Sequence, residues 1–218
     1  MSKLQHSILL LVTLGLVTLF YNLFDKEIAL YFINRYDAYN DIGKLISKAG
    51  ESHWYMLIGL FGFLYYRYKR YNMLYASRYL FLLYVNLFSG IISILLKTFF
   101  ARVRPWGLED GTDRFGFLFF QNNSMSFIEK LQYYADQMIH HPGLYASFPS
   151  GHTITVMAVA TYMSLFFSKY IPLWYALALV VASGRLLAAD HYPSDIIAGT
   201  YIGVVSTLFL YSKMKSRL

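Results

Sequence analysis

The chain has 218 residues, 57% of them hydrophobic and only 14% charged. A soluble domain carries about 25% charged residues, so this is a membrane composition, and it fits one compact helical unit. The formal net charge is +7 and there is no cysteine. Disulfides and thiolate metal sites are therefore excluded, and the placement of the basic residues points to membrane topology instead of nucleic acid.

In chain order, residues 7–24 are nearly uncharged and, with their flanks, long enough to span a bilayer. No small-residue cleavage site follows, Asn22-Leu23-Phe24-Asp25 being a poor one, so a retained first span is expected in place of a signal peptide. Residues 25–53 are mixed and polar and predict short surface helices. A second span covers 54–66 and ends at Arg67, Lys69 and Arg70. The third, 79–96, is the clearest. Residues 103–148 form a long polar insertion. The fourth span is 154–167, the fifth 172–189 with Gly184-Arg185 interrupting it late, and the sixth 196–211. The expected fold is all-α: an integral membrane protein with six transmembrane helices, an outward-facing insertion between the third and fourth, and a single domain over 1–218.

Charge placement orients the spans. With a cytoplasmic N-terminus, the inside segments are 1–6, 67–78, 168–171 and 212–218, which hold Lys3, Arg67, Lys69, Arg70, Arg78, Lys169, Lys213, Lys215 and Arg217. Every acidic residue falls on the opposite side. A basic excess in short loops is the positive-inside signal. Tyr65, Tyr66, Tyr68 and Tyr71 crowd one boundary as an aromatic belt does. Both termini are then cytoplasmic. The ends of spans three and five and the starts of four and six face outward, and those four ends carry the unusual polar residues.

The first polar cluster holds Lys97 and Arg104, seven residues apart and followed by Pro105. If the helix continues that far, they share a face with Cα atoms about 10.5 Å apart along the axis, and both can reach one oxyanion. Arg102 points elsewhere and is expected to snorkel to the interface. Inside the insertion, Ser126 and Glu129 read as a capping box. Phe127, Ile128, Leu131, Tyr134, Ala135, Met138 and Ile139 follow at helical spacing and predict an amphipathic helix on the membrane surface or over the site. Nothing near His140 and His141 completes a ligand set, so no metal is expected.

The second cluster is Pro149-Ser150-Gly151-His152-Thr153, a small polar turn that opens a helix. Helix N-termini present unpaired N–H groups and partial positive charge, so the turn is an anion seat. Ser150 can cap the helix or bond a phosphate oxygen. Gly151 lets the backbone approach an anion, and His152 can donate or accept a proton near neutral pH. In the third cluster, Arg185, Asp190, His191 and Asp195 sit at the end of a span, where charges are costly and functional. Pro193 suits the first turn of the sixth helix. Asp195, four residues after His191, can bond one ring nitrogen and leave the other lone pair free to attack. Asp190 has no clear partner and reads as a helix-end or solvent-facing residue.

Lys97-x6-Arg104-Pro105, Pro149-Ser150-Gly151-His152 and Arg185-x5-His191-x3-Asp195 resemble the three signature motifs of the type 2 phosphatidic acid phosphatase (PAP2) superfamily in order, spacing and position at span ends. One departure is Gly184, where the family often has Ser directly before the third-motif arginine; Ser183 stands one earlier. The resemblance implies a six-helix membrane phosphatase that uses no metal or other cofactor. By the family pattern, His191 attacks phosphorus to form a phosphohistidine and Asp195 orients it. His152 protonates the leaving oxygen, then activates water. Lys97, Arg104 and Arg185, with Ser150 and Gly151, hold the phosphoryl oxygens. Three cations and a helix N-terminus also meet the bottom-up requirement of phosphoryl transfer, charge stabilisation on the equatorial oxygens.

The expected partners are the lipid bilayer and a membrane lipid phosphate, with no nucleic acid; the sequence does not specify an oligomeric state. The substrates implied are phosphatidylglycerophosphate, phosphatidic acid, undecaprenyl pyrophosphate or lipid A phosphate. A lipid phosphotransferase using the same site, or a non-catalytic protein binding anionic lipid, are the alternatives. The expected location is the cell inner or plasma membrane, with the active site on the periplasmic or extracytoplasmic face. A cysteine placed at Asp113 should therefore react with a membrane-impermeant thiol reagent in intact cells. A cysteine in the tail after Tyr211 should label only after lysis; the reverse pattern would invert the topology.

Overall fold

The computed structural model describes residues 3–108, 115–120 and 125–218. Residues 109–114 and 121–124, parts of the insertion and including Asp113, lie outside the described residues. The described chain is all-α, with α1 (Lys3–Leu23), α2 (Asp25–Ile33), α3 (Tyr36–Ser47), α4 (Ser52–Leu64), α5 (Met73–Phe100), α6 (Phe127–His140), α7 (Gly151–Phe166), α8 (Ile171–Leu187) and α9 (Pro193–Met214). No strand occurs among the described residues; one bridge pairs Arg102 with Phe117.

Four segments among the described residues are long and apolar enough to cross a membrane: Leu4–Leu23, Met73–Phe100, Ser168–Leu187 and Pro193–Arg217. The other two expected spans are shorter helices. α4 has 13 residues and runs into a π-helical turn, Tyr65–Lys69; α7 has 16. At 1.5 Å per residue, α7 is about 24 Å long, less than the hydrocarbon thickness of about 30 Å. α2 and α3 are the short helices that the polar stretch 25–53 predicts.

The chain divides into two compact units. One consists of Met1–Leu45, Ser93–Ser150 and Gly184–Ala198, the other of Ile46–Ile92, Gly151–Ser183 and Gly199–Leu218. In the second unit α7 is the central element. It is apolar all round, with Thr153 to Ala158 and Ala160 to Tyr162 buried, as a helix surrounded by others requires. Ala158 and Tyr162 pack with Phe81 and Val85 of α5. Val156, Met157 and Ala160 pack with Ala178 and Trp174 of α8. Gly203 of α9 sits so close to α7 that a Cβ there would lie 2.5 Å from the Ile154 carbonyl oxygen.

The first unit is built from helix ends and the loops that follow them. α5 stops at Phe100 because Ala101 takes a left-handed conformation, φ 40°. α8 stops at Leu187, and Ala189 turns at φ 52°. Each such non-glycine residue costs about 1–3 kcal/mol and persists only where its surroundings hold it. Here the Ala101 carbonyl accepts from Leu118 N at 3.1 Å, and the Ala189 carbonyl from Trp106 N at 3.3 Å. The core beneath them comprises Ala101, Val103, Leu118, Tyr134, Leu144 and Tyr145, with Ala29, Leu108 and Tyr192 as a second cluster. The capping box of α6 forms as its sequence predicts: Glu129 N donates to Ser126 Oγ at 3.3 Å and Ser126 N to Glu129 Oε2 at 2.6 Å. Those Ser126 bonds hold the Glu129 carboxyl below its usual pKa. Tyr134 and Lys130 face inward while Phe127, Ile128, Leu131 and Ile139 remain exposed.

The α7–α9 approach is testable. Gly203→Val should lower the melting temperature in detergent, because the added carbons meet α7 backbone and overpacking costs about 1–3 kcal/mol. Gly15→Val, where a Cβ meets nothing within 4 Å, should leave the melting temperature near wild type. Equal melting points would show that the close approach is dispensable.

Candidate active site

The first unit encloses a charged cluster with almost no access to water. Arg102 is 0% exposed, as are Asp25 and Asp195. The guanidinium donates from NH1 to Asp195 Oδ1 at 2.5 Å and to Ser194 Oγ at 2.8 Å, and from NH2 to Asp25 Oδ2 at 2.7 Å. Its carbon lies 3.9 Å from the Tyr192 ring centroid and 5.1 Å from that of Tyr21. Burial alone would lower the Arg102 pKa, but Asp195 and Asp25 hold it above its ordinary value. Burial likewise pushes the Tyr192 phenol well up. The expectation that Arg102 snorkels is wrong. α5 ends two residues before it, and the left-handed Ala101 turns its side chain inward to two carboxylates.

Asp195 is held from several sides. Its Oδ2 accepts from Ser147 Oγ at 2.5 Å and from Tyr192 N at 2.9 Å. Nδ1 of His191 stands 3.4 Å from the same oxygen. Thus the His191–Asp195 pairing read from the four-residue spacing forms, with the His191 side chain only 1% exposed. Pro193 is the first residue of α9, and the Ser194 N–H donates to Asp25 Oδ1 at 3.0 Å. Nδ1 is thus the ring nitrogen that faces the carboxylate.

A second charged layer holds the expected phosphate ligands. Arg104 NH1 is 3.1 Å from Asp190 Oδ1, and Arg185 NH2 is 2.9 Å from Asp190 Oδ2. Asp190, read from the sequence as partnerless, instead bridges the two arginines. Lys97 Nζ donates to the Ala146 carbonyl at 2.5 Å, and Arg104, Asp195, Arg185 and Asp190 all lie within electrostatic range of it. The shared helical face proposed for Lys97 and Arg104 does not exist, because α5 has ended. They are brought together by the loop: Arg104 N donates to the Leu144 carbonyl at 2.8 Å and Ser147 N to the Arg102 carbonyl at 3.1 Å. Arg104 keeps a buried Nε without a hydrogen-bond partner among the described residues, a donor suited to an anion.

Ser150 is fully buried, and its N–H donates to the Asp195 carbonyl at 3.1 Å. That N–H is committed to the backbone of the third motif. Gly151 and His152 belong to the second unit, as the first two residues of α7. There the His152 ring packs on Gly50, where a Cβ would come within 2.9 Å of it. The structure therefore gathers Lys97, Arg104, Ser150, Arg185, His191 and Asp195 in one unit and places Gly151 and His152 in the other. Asp25, Ser147 and Ser194 were missed by sequence reasoning. Asp25 carried a usable signal, since it is a charge at the end of an apolar span, the same feature that singles out residues 185–195.

Such an arrangement can bind a dianion at the arginines and present an oriented imidazole to it. Comparison with known proteins agrees in kind. The family model described as the PAP2 superfamily matches residues 78–218. The chain is 29% identical over 217 residues to a lipid A 1-phosphatase of Rhizobium etli, covering 93% of this chain and 82% of that one. It is 31% identical over 217 residues to a lipid A 1-phosphatase of Rhizobium johnstonii, covering 93% and 78%. A 65-residue stretch is 42% identical to the bacitracin transport permease protein BcrC of Bacillus licheniformis, 30% of this chain and 32% of that one. No solved structure matches.

Arg102→Ala should be severe. It leaves two carboxylates buried without their cation, a loss of about 3–5 kcal/mol for a broken buried pair. A marked fall in melting temperature, or failure to recover folded protein, is expected; a wild-type melting curve would mean that the pair adds nothing.

Proposed function

The chain belongs to the PAP2 superfamily, and from that premise we propose that it is a metal-independent membrane lipid phosphatase working through a phosphohistidine on His191. The observation that carries this reading is the convergence of Lys97, Arg104 and Arg185 in the same unit as a His191 held by Asp195. The proposed fold of action is one phosphatase domain over 1–218 with six crossings, α4 with its π turn and α7 completing the set. Both termini are proposed to be cytoplasmic and the site extracytoplasmic, on the strength of the basic loops.

In the proposed mechanism the phosphoryl oxygens replace Asp190 as the partner of Arg104 and Arg185, with Lys97 as the third cation. Ser150 and Gly151 complete the seat at the start of α7. Nε2 of His191 forms an N–P bond as the P–O bond to the lipid breaks, and His152 gives its proton to the leaving oxygen. Asp195 balances the positive ring. A water then loses its proton to His152 and attacks phosphorus. The N–P bond breaks with its electron pair returning to Nε2, and inorganic phosphate leaves.

Among the lipid phosphates considered, lipid A 1-phosphate is the first choice, because both relatives matched along most of their length carry the name lipid A 1-phosphatase. Phosphatidylglycerophosphate, phosphatidic acid and undecaprenyl pyrophosphate complete the panel for phosphate release by purified protein in detergent. Release from none of them, with transfer to an alcohol acceptor instead, would favour a phosphotransferase.

The two histidines should separate by leaving group. His152→Ala should be nearly inactive toward a lipid monoester, whose alkoxide needs a proton. It should retain first-step activity toward a nitrophenyl phosphate and accumulate an acid-labile, base-stable phosphoenzyme. His191→Ala should show neither the burst nor the label. The opposite pattern would exchange the nucleophile and the acid.

A further inference from the structure

Asp25 lies outside the segment 78–218 matched by the family model, yet it is the first residue of α2 and completely buried. Its Oδ2 accepts from Arg102 NH2 at 2.7 Å and from the Ser194 hydroxyl. Its Oδ1 accepts from Ser194 N at 3.0 Å, at the N-terminal turn of the helix that carries Asp195. Four ionisable groups therefore stand in a row: Asp25, Arg102, Asp195 and His191.

The charges of that row decide what Asp195 can do. Arg102 and Asp195 alone would form a neutral pair, and a neutralised carboxylate has little power to hold a positive ring. A second carboxylate on the other guanidinium nitrogen leaves the trio with one net negative charge. A buried charge of that sign beside His191 favours the cationic ring that forms when Nε2 bonds phosphorus. We propose that Asp25 is a positioning residue of the phosphoryl-transfer centre, acting through Arg102 to leave Asp195 its negative charge toward His191. This rests on the reading of His191 as nucleophile.

Among the described residues, these other titratable or charged groups lie around the row. Tyr21 and Tyr192 flank Arg102. Lys97, Arg104, Arg185 and Asp190 form the neighbouring layer, with Asp195 in electrostatic range of Lys97. Asp25 is the group in this set that touches Arg102 opposite Asp195, so its removal changes the balance of the row without touching a proposed phosphate ligand.

The test uses full-length protein in detergent, with histidine rings isotopically labelled and the His191 signal assigned by its absence in His191→Ala. Asp25→Asn keeps the shape and removes the charge. Its His191 ring should titrate about one pH unit lower than wild type. Phosphoenzyme formation from a nitrophenyl phosphate should fall roughly tenfold. The double variant Asp25→Asn with Arg102→Gln removes one charge of each sign and restores one net negative charge. Its His191 ring should titrate nearer to wild type than that of Asp25→Asn.

A folded Asp25→Asn protein with wild-type titration and rate overturns the proposal. Where Asp25→Asn does not fold, the double variant carries the test: a His191 ring that titrates as in wild type supports the proposal, and a ring that titrates a full unit lower overturns it. The ring titration reads Asp25 even if no substrate is turned over. A shifted titration in a protein that never forms phosphoenzyme would therefore refute the function and leave the charge row standing.

Discussion

Burying three charged side chains side by side is the constraint on which the first unit depends. Each ion loses several kcal/mol of hydration, which only close geometry and a full set of hydrogen bonds can offset. Arg102 offsets much of it with partners 77 and 93 residues away, although its buried Nε has no hydrogen-bond partner among the described residues. Its forked guanidinium can address Asp25 and Asp195 at once, which a lysine ammonium cannot do with the same planarity. The α1–α2 junction, the end of α5 and the start of α9 are thereby fixed to one another. Much else in the unit follows. α5 has to end at Phe100 and Ala101 has to adopt a strained turn, because a continued helix would carry Arg102 away from the carboxylates.

Above this layer lies a second with a different character. Asp190 satisfies Arg104 and Arg185, and its side chain remains 14% exposed. The inner trio is sealed, whereas the outer one keeps some exposure to water. Under the proposed function a phosphate dianion outcompetes the single charge of Asp190 for the two arginines, and Asp190 keeps them apart and aimed between turnovers. In that proposed reading the inner layer holds the imidazole still and the outer layer would hold the anion, so rigidity and exchange fall to separate sets of charges. That division is consistent with preorganised electrostatic stabilisation, in which the donors are in place before the reaction begins.

The N-terminal segment also takes on a role beyond anchoring. α1 contributes Tyr21 to the aromatic wall around Arg102, through stacked contacts with Phe115 and Phe117 at 5.3 and 5.4 Å. α2 contributes Asp25, and α3 contributes Asn40, whose Nδ2 donates to the Ala188 carbonyl at 3.3 Å. Gly43 of α3 lies against the end of α8, where a Cβ would come within 2.5 Å of Ala188 N. The polar helices 25–47 therefore brace the turn that carries Asp190 and His191.

Local signals in the sequence determined the all-α class, the positions of the apolar segments, the capping box at Ser126 and Glu129 and the opening of α9 at Pro193. They also determined the four-residue pairing of His191 with Asp195. Each depends on periodicity, propensity or a contact within one helical turn, and such information is written in adjacent residues. Only the tertiary structure decided the rest. The seven-residue spacing of Lys97 and Arg104 implied a helical face, but hydrogen bonds to the loop, from Arg104 N to the Leu144 carbonyl and from Lys97 Nζ to the Ala146 carbonyl, bring the two cations together after α5 has stopped. Arg102 looked like an interfacial residue and Asp190 like a solvated one, because the partners of both lie far along the chain or on a turn whose path the sequence does not specify. Asp25 was unread for the same reason: a buried ion pair is defined by which distant segments meet, and that is settled by packing.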